Sequence, residues 1–300
     1  MLAANVTIVE VGPRDGLQNE KAVVATSRKV AFVDSLTAAG HRFIEVSAFV
    51  SPKWVPQLAD ADEVFAGIRR RDGVRYSALV PNRAGLDRAL VAGVTDIAVF
   101  AAASETFSRK NINRSIDESL EIYREVIDAA MQSSLGVRAY LSTSFGCPFE
   151  GPVDIERVIE LSERLIQLGA AEVAISDTIG IAHPGQVSRL LERLLTRVPA
   201  QQVALHFHDT RGTALANVLS ALPFGITTFD SSAGGLGGCP YAPGASGNLA
   251  TEDLLYMLDG MGIATGVSLD AVTAASRIIA AEIPHPLPSR YVQALPSQPV

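Results

Sequence analysis

Eight short apolar segments recur along the 300-residue chain, and each is followed by a longer amphipathic stretch. The short segments are rich in β-branched residues, which is typical of buried strands, whereas the longer stretches show helical spacing. The segments start about every 32 residues, the pitch of repeated strand–helix units. The chain is therefore predicted to be an α/β protein. The predicted strands are 6–11, 43–49, 76–80, 97–101, 138–143, 172–176, 203–208 and 227–231.

Eight such units in about 250 residues favour a closed (β/α)8 barrel, or TIM barrel, over an open sheet. A doubly wound sheet is the alternative, but no predicted strand leads into the glycine-rich turns that bind dinucleotides or phosphates in such sheets. We predict a single catalytic domain over residues 1–283 and a Pro-rich irregular tail over residues 284–300.

Signals for helix ends support the repeat. Ser27, Ser115 and Asp154 stand where a side chain would cap the first turn of a helix. Glycines are placed to end helices at positions 40, 93 and 169. The helical patterns themselves cover residues 27–39, 115–133, 154–168 and 184–198.

The composition excludes several classes of protein. Apolar residues make up 48% and charged residues 19% of the chain, which is enough to bury a core. A net charge of −7 provides no basic field for nucleic acid or anionic lipid, and no uncharged run resembles a membrane span. Two cysteines cannot form a disulfide framework, and no secretory signal is visible. We therefore expect a cytoplasmic protein that binds neither nucleic acid nor membrane.

Polar residues gather where a barrel would place its active site. Catalytic residues in such barrels lie at the carboxyl ends of the strands and in the loops that follow. The polar residues at these positions are Arg14, Asp15, Glu45, Asp177, His206, His208, Cys239 and Asn248. We take them as the candidate site.

His206 and His208 carry the sharpest signal. Residues two apart in a strand point to the same face, so both imidazoles could converge on one ion. A hydrogen-bonded histidine pair is the alternative interpretation. With Asp15, and with Asn248 as a further candidate, they would form a nitrogen–oxygen site that needs no thiolate. Such a site favours Mg²⁺ or Mn²⁺ over zinc.

Arg14 and Asp15 follow the Gly12-Pro13 turn directly after the first predicted strand. They could form an ordinary surface ion pair. In the functional interpretation, Asp15 binds the metal and Arg14 stabilises a developing oxyanion. Glu45 lies inside an apolar strand, where an unpaired charge is costly, so Arg14 is its expected partner.

The chain has only four lysines among its 25 basic residues, and none lies in a predicted strand. A Schiff-base aldolase is therefore excluded, and a barrel that cleaves a carbon–carbon bond would need a metal. Four glycines precede Cys239 in the segment 234–239. That segment is either an ordinary tight loop or a mobile lid that carries Cys239 as a proton donor or nucleophile.

Residues 10–20 read Glu-Val-Gly-Pro-Arg-Asp-Gly-Leu-Gln-Asn-Glu. This stretch resembles the opening motif of the 3-hydroxy-3-methylglutaryl-CoA lyases, metal-dependent barrel lyases with an Arg-Asp pair after the first strand. The resemblance extends in order over roughly residues 5–270. Further matching segments are 49–57, 110–113, 206–210, 235–241 and 247–253.

The resemblance implies a TIM barrel with additional C-terminal helices, a divalent cation, and retro-Claisen cleavage of 3-hydroxy-3-methylglutaryl-CoA to acetyl-CoA and acetoacetate. This is the reaction of leucine degradation and ketone-body formation. By position, Arg14 resembles the enolate-stabilising residue and Cys239 the loop cysteine of proton transfer. Glu45 and Asp177 resemble the supporting acidic residues. Which of His206, Asp177 or Cys239 moves each proton is left open. The residues resembling the metal ligands are Asp15, His206, His208 and Asn248.

Four positions depart from the usual pattern of the family: Arg114, Thr143, Ser176 and Arg211. They leave a related branched 3-hydroxyacyl-CoA open as the substrate. A Claisen-condensing acyl-CoA synthase and a catalytically inactive barrel compete with the lyase interpretation. The synthases usually carry an extra C-terminal region and lack the Cys loop. A homodimer is also open. The expected contacts to the acyl-CoA substrate are Gln18, Lys53, Arg109, Lys110, Thr143 and Arg211.

Overall fold

The computed structural model of the chain describes residues 3–238 and 247–296. Eight strands lie side by side in chain order, every neighbouring pair is parallel, and the last strand pairs with the first. The closed (β/α)8 barrel is thus confirmed, and the open sheet is excluded. The strands are β1 (Thr7–Glu10), β2 (Phe43–Ala48), β3 (Arg75–Leu79), β4 (Asp96–Ala102), β5 (Gly136–Ser142), β6 (Glu172–Asp177), β7 (Val203–Phe207) and β8 (Thr228–Ser231).

Helices surround the barrel and bury their apolar faces against the strands. The described part of the chain contains α1 (Thr26–Ala38), α2 (Ala61–Gly67), α3 (Arg83–Ala92), α4 (Glu105–Ile112), α5 (Ile116–Gln132), α6 (Ile155–Gln167), α7 (Pro184–Leu194), α8 (Ala214–Ala221), α9 (Thr251–Gly260), α10 (Leu269–Ala280) and α11 (Arg290–Ala294). The last two follow the eighth strand–helix unit and are the additional C-terminal helices.

Most predicted helix ends are confirmed. The side chains of Ser115 and Asp154 accept backbone N–H groups of the first turns of α5 and α6. Positive φ angles of 107°, 69° and 110° occur at Gly40, Gly93 and Gly169, as expected where helices end. The predicted cap at Ser27 is wrong, because α1 begins one residue earlier, after Ala25, with no side-chain cap.

The tail is not irregular throughout, because residues 290–294 form α11. Its start is fixed by the carboxylate of Asp253, which accepts the N–H groups of Arg290 (3.0 Å) and Tyr291 (2.8 Å). The prolines that suggested an irregular segment lie mainly before this helix, at 284, 286 and 288. The tail therefore packs on the turn after β8, where Leu287 covers Gly234.

The two largest apolar clusters pack the two sides of the strands. The larger lies between strands and helices, and it includes residues from nearly every element. The smaller fills the barrel interior with alanines at 48, 98, 174 and 204 together with Leu79 and Tyr140. Small side chains in the interior leave room above them for polar groups at the carboxyl ends of the strands. Within the described ranges, no helix combines the length and apolar character needed to span a membrane.

Candidate active site

A cavity of about 620 Å³ opens at the carboxyl ends of the strands. Its wall combines charged residues at the bottom with apolar and exposed residues nearer the mouth. The polar residues were predicted to lie at this end of the barrel, where the ligand sites of such barrels occur. Residues of the wall include Arg14, Asp15, Gln18, Phe100, Tyr140, Ser176, His206 and His208.

Asp15, His206 and His208 form one compact cluster at the bottom of the cavity. The Nε2 atoms of His206 and His208 lie 4.0 and 3.9 Å from Asp15 Oδ2. Asn248 donates its Nδ2 hydrogens to Asp15 Oδ2 (2.9 Å) and to the carbonyl oxygen of Leu236 (3.0 Å). The Oδ1 atom of Asn248 is buried and has no hydrogen-bond partner within the described residues. The cluster thus presents two ring nitrogens and a carboxylate, and the amide nitrogen of Asn248 binds that carboxylate.

The protonation of the cluster suits a cation. His206 Nδ1 lies 3.0 Å from Asp230 Oδ2, which favours the tautomer with hydrogen on Nδ1 and a lone pair on Nε2. Burial and the neighbouring His206 lower the pKa of His208 to about 4. Burial opposes ionisation of Asp15, but the charge of Arg14 outweighs it and lowers the pKa of that carboxyl. An ionised carboxylate, the neutral imidazole of His208 and the Nε2 atom of His206 fit a divalent cation.

The turn after β1 places Arg14 and Asp15 at this cluster. The N–H groups of Arg14, Asp15 and Gly16 all converge on the carbonyl oxygen of Val11, at 2.8 to 3.2 Å. A Cβ atom at Gly12 would lie 2.6 Å from Glu10 Oε1, so the turn requires glycine there. The chain therefore reverses within five residues and returns both side chains to the cavity.

Glu10 joins this turn to the turn after β8. Its Oε1 atom accepts the N–H groups of Gly12 (2.8 Å) and Ala233 (2.9 Å), and its Oε2 atom accepts the hydroxyl of Thr251 (2.7 Å). Burial raises the pKa of Glu10 to about 8. One buried carboxyl group thus fixes two of the loops that form the site.

Arg14 is the centre of a buried charge pairing. Its Nη1 atom lies 2.5 Å from Asp15 Oδ1, and its Nε atom lies 2.5 Å from Glu45 Oε2. Glu45 is therefore the partner of Arg14, as the sequence predicted, and the surface ion pair is excluded because Arg14 is buried. Burial raises the pKa of Glu45, although the charge of Arg14 opposes that shift.

Further buried contacts connect Glu45 to the histidines. Tyr140 donates its hydroxyl to Glu45 (3.1 Å) and accepts from Arg138 (3.1 Å). Arg138 binds Asp230 through both terminal nitrogens, at 2.6 and 3.1 Å. Burial and the neighbouring Glu45 raise the pKa of Tyr140 well above its ordinary value, so its hydroxyl stays a donor. We call the seven linked residues the buried polar ring: Asp15, Arg14, Glu45, Tyr140, Arg138, Asp230 and His206.

Sequence reasoning missed three members of the ring, Tyr140, Arg138 and Asp230. A signal was present, because Arg138 and Asp230 are charged residues inside apolar strands, as Glu45 is. Charges at such positions are rarely buried without partners. The same argument that paired Glu45 with Arg14 would have paired Arg138 with Asp230.

Three of the predicted residues that lie outside the cavity wall bind backbone groups instead. Asp177 turns its carboxylate to the N–H groups of Ile181 (3.0 Å) and Ala182 (2.9 Å), and it fixes the loop after β6. Arg211 donates to backbone carbonyls of that same loop. Thr143 uses its hydroxyl on the carbonyl of Ser142. Their side chains hold the loops that form the wall and do not point into it.

The expected substrate contacts divide in two groups. Gln18 and Lys110 line the cavity, whereas Lys53 and Arg109 do not. Arg109 is instead paired with Glu105 one turn earlier on α4. Cys239 lies outside the described residues. The residue before it, Gly238, lines the cavity, and its carbonyl oxygen accepts from Asn19 at 2.7 Å.

The fold and the cluster together define a class: (β/α)8-barrel proteins with side chains able to hold a metal ion at the carboxyl ends of the strands. Comparison with known families identifies one family within this class. Residues 5–279 match the model of the HMGL-like family, and the chain belongs to that family. The family predicted from the motifs is confirmed.

Similar proteins extend over nearly the whole chain. A Pseudomonas aeruginosa protein named 3-hydroxy-3-isohexenylglutaryl-CoA/hydroxy-methylglutaryl-CoA lyase is 52% identical over 98% of both chains. The crystal structure of a Bacillus subtilis HMG-CoA lyase is 55% identical, covers 97% of this chain and 98% of its own, and superposes with a TM-score of 0.96. A structure of an Acinetobacter baumannii HMG-CoA lyase with coenzyme A and 3-methylmalate is 39% identical, with coverages of 99% and 98% and a TM-score of 0.93.

Proposed function

We propose that this protein is a carbon–carbon lyase that cleaves 3-hydroxy-3-methylglutaryl-CoA to acetyl-CoA and acetoacetate. One observation carries the proposal: the cation-type cluster of Asp15, His206 and His208 lies beside the buried guanidinium of Arg14 on one cavity. The relatives described above, at about half identity over nearly the full chain, are named for this activity.

The reaction needs two proton movements and one bond cleavage. The hydroxyl on C3 loses its proton, and its oxygen becomes the ketone of acetoacetate. The C2–C3 bond breaks, and its electron pair moves to C2 to form the enolate of acetyl-CoA. A proton delivered to C2 completes the second product. The site must therefore accept one proton, stabilise one enolate and supply one proton.

The four donors Asp15, His206, His208 and Asn248 would hold the cation, for which we propose Mg²⁺ or Mn²⁺. The Oδ1 atom of Asn248, which has no hydrogen-bond partner within the described residues, and the neutral imidazole of His208 fit such an ion. When bound, a divalent cation makes a coordinated hydroxyl easier to deprotonate and polarises a carbonyl. The mixed nitrogen–oxygen donors match the preferences of these metals.

Arg14 stabilises the enolate oxygen. The two ion pairs described above use two of its five N–H donors and fix the plane of the guanidinium at the cavity. Glu45 acts through Arg14 and is a positioning residue. Fixed donors of this kind contribute most where charge develops during the reaction.

His206 offers its Nε2 lone pair to the cluster, held there by Asp230. We propose Cys239 as the residue that moves a proton at C2, since its neighbour Gly238 is part of the cavity wall. Asp177, whose pKa burial raises to about 6, supports the loop after β6 and acts as a positioning residue. A role in leucine degradation, a cytoplasmic location and a homodimer are further proposals.

A related branched substrate is the second candidate. The Pseudomonas aeruginosa relative is named for two substrates, one of which carries an isohexenyl group in place of a methyl group. The cavity of this chain has an apolar wall that includes Leu79, Phe100 and Ile122. Such a wall can accept a longer alkyl group on C3.

The test is product formation by metal-stripped protein with and without Mg²⁺ or Mn²⁺. We expect metal-dependent release of acetoacetate and acetyl-CoA in equal amounts. Tight metal binding without cleavage of either the methyl or the isohexenyl substrate would contradict the proposal. Cleavage of the isohexenyl substrate alone would select the second candidate.

A further inference from the structure

The chain contains a single tryptophan, Trp54, and it is 86% exposed at the rim of the cavity. The turn that carries it is well fixed. The N–H groups of Trp54 and Val55 bind the carbonyl oxygen of Ser51 at 2.9 and 3.2 Å. Gln57 then anchors the following turn to the carbonyl oxygen of Glu20 at 2.7 Å. A rigid turn thus presents a large aromatic side chain to solvent, where it adds no packing to the core.

Two cations share this rim. Lys110 and Arg114 line the same cavity as Trp54. The ammonium of Lys110 lies 3.9 Å from the centre of the Phe149 ring, and Arg114 donates to the carbonyl of Asn113 at 3.1 Å. An aromatic face and two cations at one mouth are the groups that bind a base and phosphates.

The position of the acyl group determines which part of the substrate lies at the rim. The reacting atoms must lie at Asp15, His206 and His208, at the bottom of the cavity. A thioester bound there extends its pantetheine arm outward, so the nucleotide part of coenzyme A reaches the rim. The adenine ring is the flat part of that nucleotide, and its phosphates are the anionic part.

We propose that Trp54 is the stacking surface for the adenine ring of the acyl-CoA substrate, with Lys110 and Arg114 beside its phosphates. The inference rests on the proposed function, because it assumes a coenzyme A thioester. It also assigns a role to Arg114, which lines the mouth at a position where the sequence departs from its family pattern.

Fluorescence provides a direct test, because the signal of Trp54 is the only tryptophan signal of the chain. We expect coenzyme A and adenosine 3′,5′-bisphosphate to quench it saturably, and pantetheine to leave it unchanged. Excitation at the red edge of the tryptophan band avoids absorption by adenine. Quenching by pantetheine alone, or no quenching by coenzyme A, would overturn the proposal.

Kinetics with two thioesters separate stacking from a structural role. We expect Trp54→Ala to raise KM for the coenzyme A thioester about tenfold while kcat stays within about twofold. With the pantetheine thioester of the same acyl group, KM and kcat should be the same for the variant and for the natural protein. Trp54→Tyr keeps an aromatic face and should restore most of the affinity. Tyr256→Ala, which removes an exposed aromatic residue of α9 outside the cavity wall, is the control.

The outcomes distinguish the inference from the proposed function. If Trp54→Ala raises KM equally for both thioesters, or for neither, the role of Trp54 is overturned while the lyase activity stands. If the natural protein cleaves neither thioester, the proposed function fails, and the quenching experiment then decides the inference alone. Circular dichroism confirms that each variant is folded, and Trp54→Tyr supplies the answer if Trp54→Ala is not.

Discussion

The floor and the rim of the cavity both carry charged residues, but their surroundings differ. Arg138 in the buried polar ring is 2% exposed and binds Tyr140, Asp230 and Glu172. At the rim, Lys110 and Arg114 are exposed. Fixing the floor residues in advance suits chemistry, because the donors need no rearrangement during the reaction. An exposed rim suits recognition of a long, flexible ligand. The following variants test this difference.

The largest effect is expected at the floor, from Asp15→Asn. The substitution replaces the ionised donor of the cluster and removes the partner of Arg14 Nη1. Loss of a group that stabilises developing charge costs about a thousandfold or more when metal binding is lost as well. Initial rates and equilibrium dialysis with Mn²⁺ measure both quantities.

Asp87→Asn is the matched control, because it removes an exposed carboxylate that pairs with Arg83 on α3. It should leave metal affinity and rate unchanged. If Asp15→Asn retained full metal affinity, the floor would not be the metal site.

The second effect concerns Glu10, which fixes two loops beneath the floor. Burial raises its pKa from 4.5 to about 8, so the folded protein prefers the protonated form. The stabilisation that protonated Glu10 gives the folded protein is fully present below about pH 4.5 and is lost as the pH rises through 8. Glu10→Gln cannot ionise, so its stability relative to the natural protein should rise across this window by up to about 4 kcal/mol.

Urea denaturation of metal-free protein at about pH 5 and about pH 9 checks this. His41, 3.6 Å from Glu10, does not interfere because burial lowers its pKa to about 3. Glu121→Gln on the exposed face of α5 should show no such dependence. A difference between Glu10→Gln and the natural protein that stays constant with pH would refute the buried, protonated state of Glu10.

The third prediction distinguishes a residue that would bind the metal from one that only orients a metal-binding side chain. Asp230→Asn removes the acceptor that fixes the ring of His206. Loss of such a contact costs about 10- to 100-fold in metal affinity, and excess Mn²⁺ should restore most of the rate. Titrating activity against Mn²⁺ gives the affinity.

Asp96→Asn is the comparison, because it breaks an Arg–Asp pair with Arg75 at the opposite end of the barrel. It should not change the metal affinity. A rate that excess metal does not restore in Asp230→Asn would place Asp230 in the reaction itself.

The smallest effect is expected at the rim. Lys110→Ala removes one exposed cation, so KM should rise only about two- to fivefold, and less at high salt because ions screen exposed charges. The turnover number should not change. Lys21→Ala, an exposed lysine outside the cavity wall, is the control. If kcat fell and salt did not reduce the loss, Lys110 at the rim would act in the reaction, as the floor residues do, and not only in recognition.

Much of the barrel could be predicted because its pattern is carried by many residues. Eight buried strands need apolar side chains on both faces, and this requirement repeats along the sequence. The cluster could be predicted because His206 and His208 are two residues apart at the end of β7, a spacing that turns both rings to the same side. Asp15 follows from the sharp turn at Gly12-Pro13 directly after β1.

Other features depend on contacts between distant segments and could not be predicted. The direction of a side chain at or after the end of a strand depends on the following loop. Asp177, the last residue of β6, and Arg211, after β7, both bind loop backbone. The helix α11 has a local cap at Ser289, but its first turn also depends on the carboxylate of Asp253 from the distant α9. Neither partner is visible in the local sequence around those residues.

The donors of the cluster come from opposite ends of the chain. Asp15 and Asn248 are 233 residues apart, yet they share a hydrogen bond near the place where β8 pairs with β1. During synthesis on the ribosome, Asp15 emerges early and can meet its last partner only after the eighth unit has been translated. A shortened polypeptide that stops before Asn248 holds at most three of the four donors. Binding of a cation by all four proposed donors would therefore require a chain that has been translated past the eighth unit.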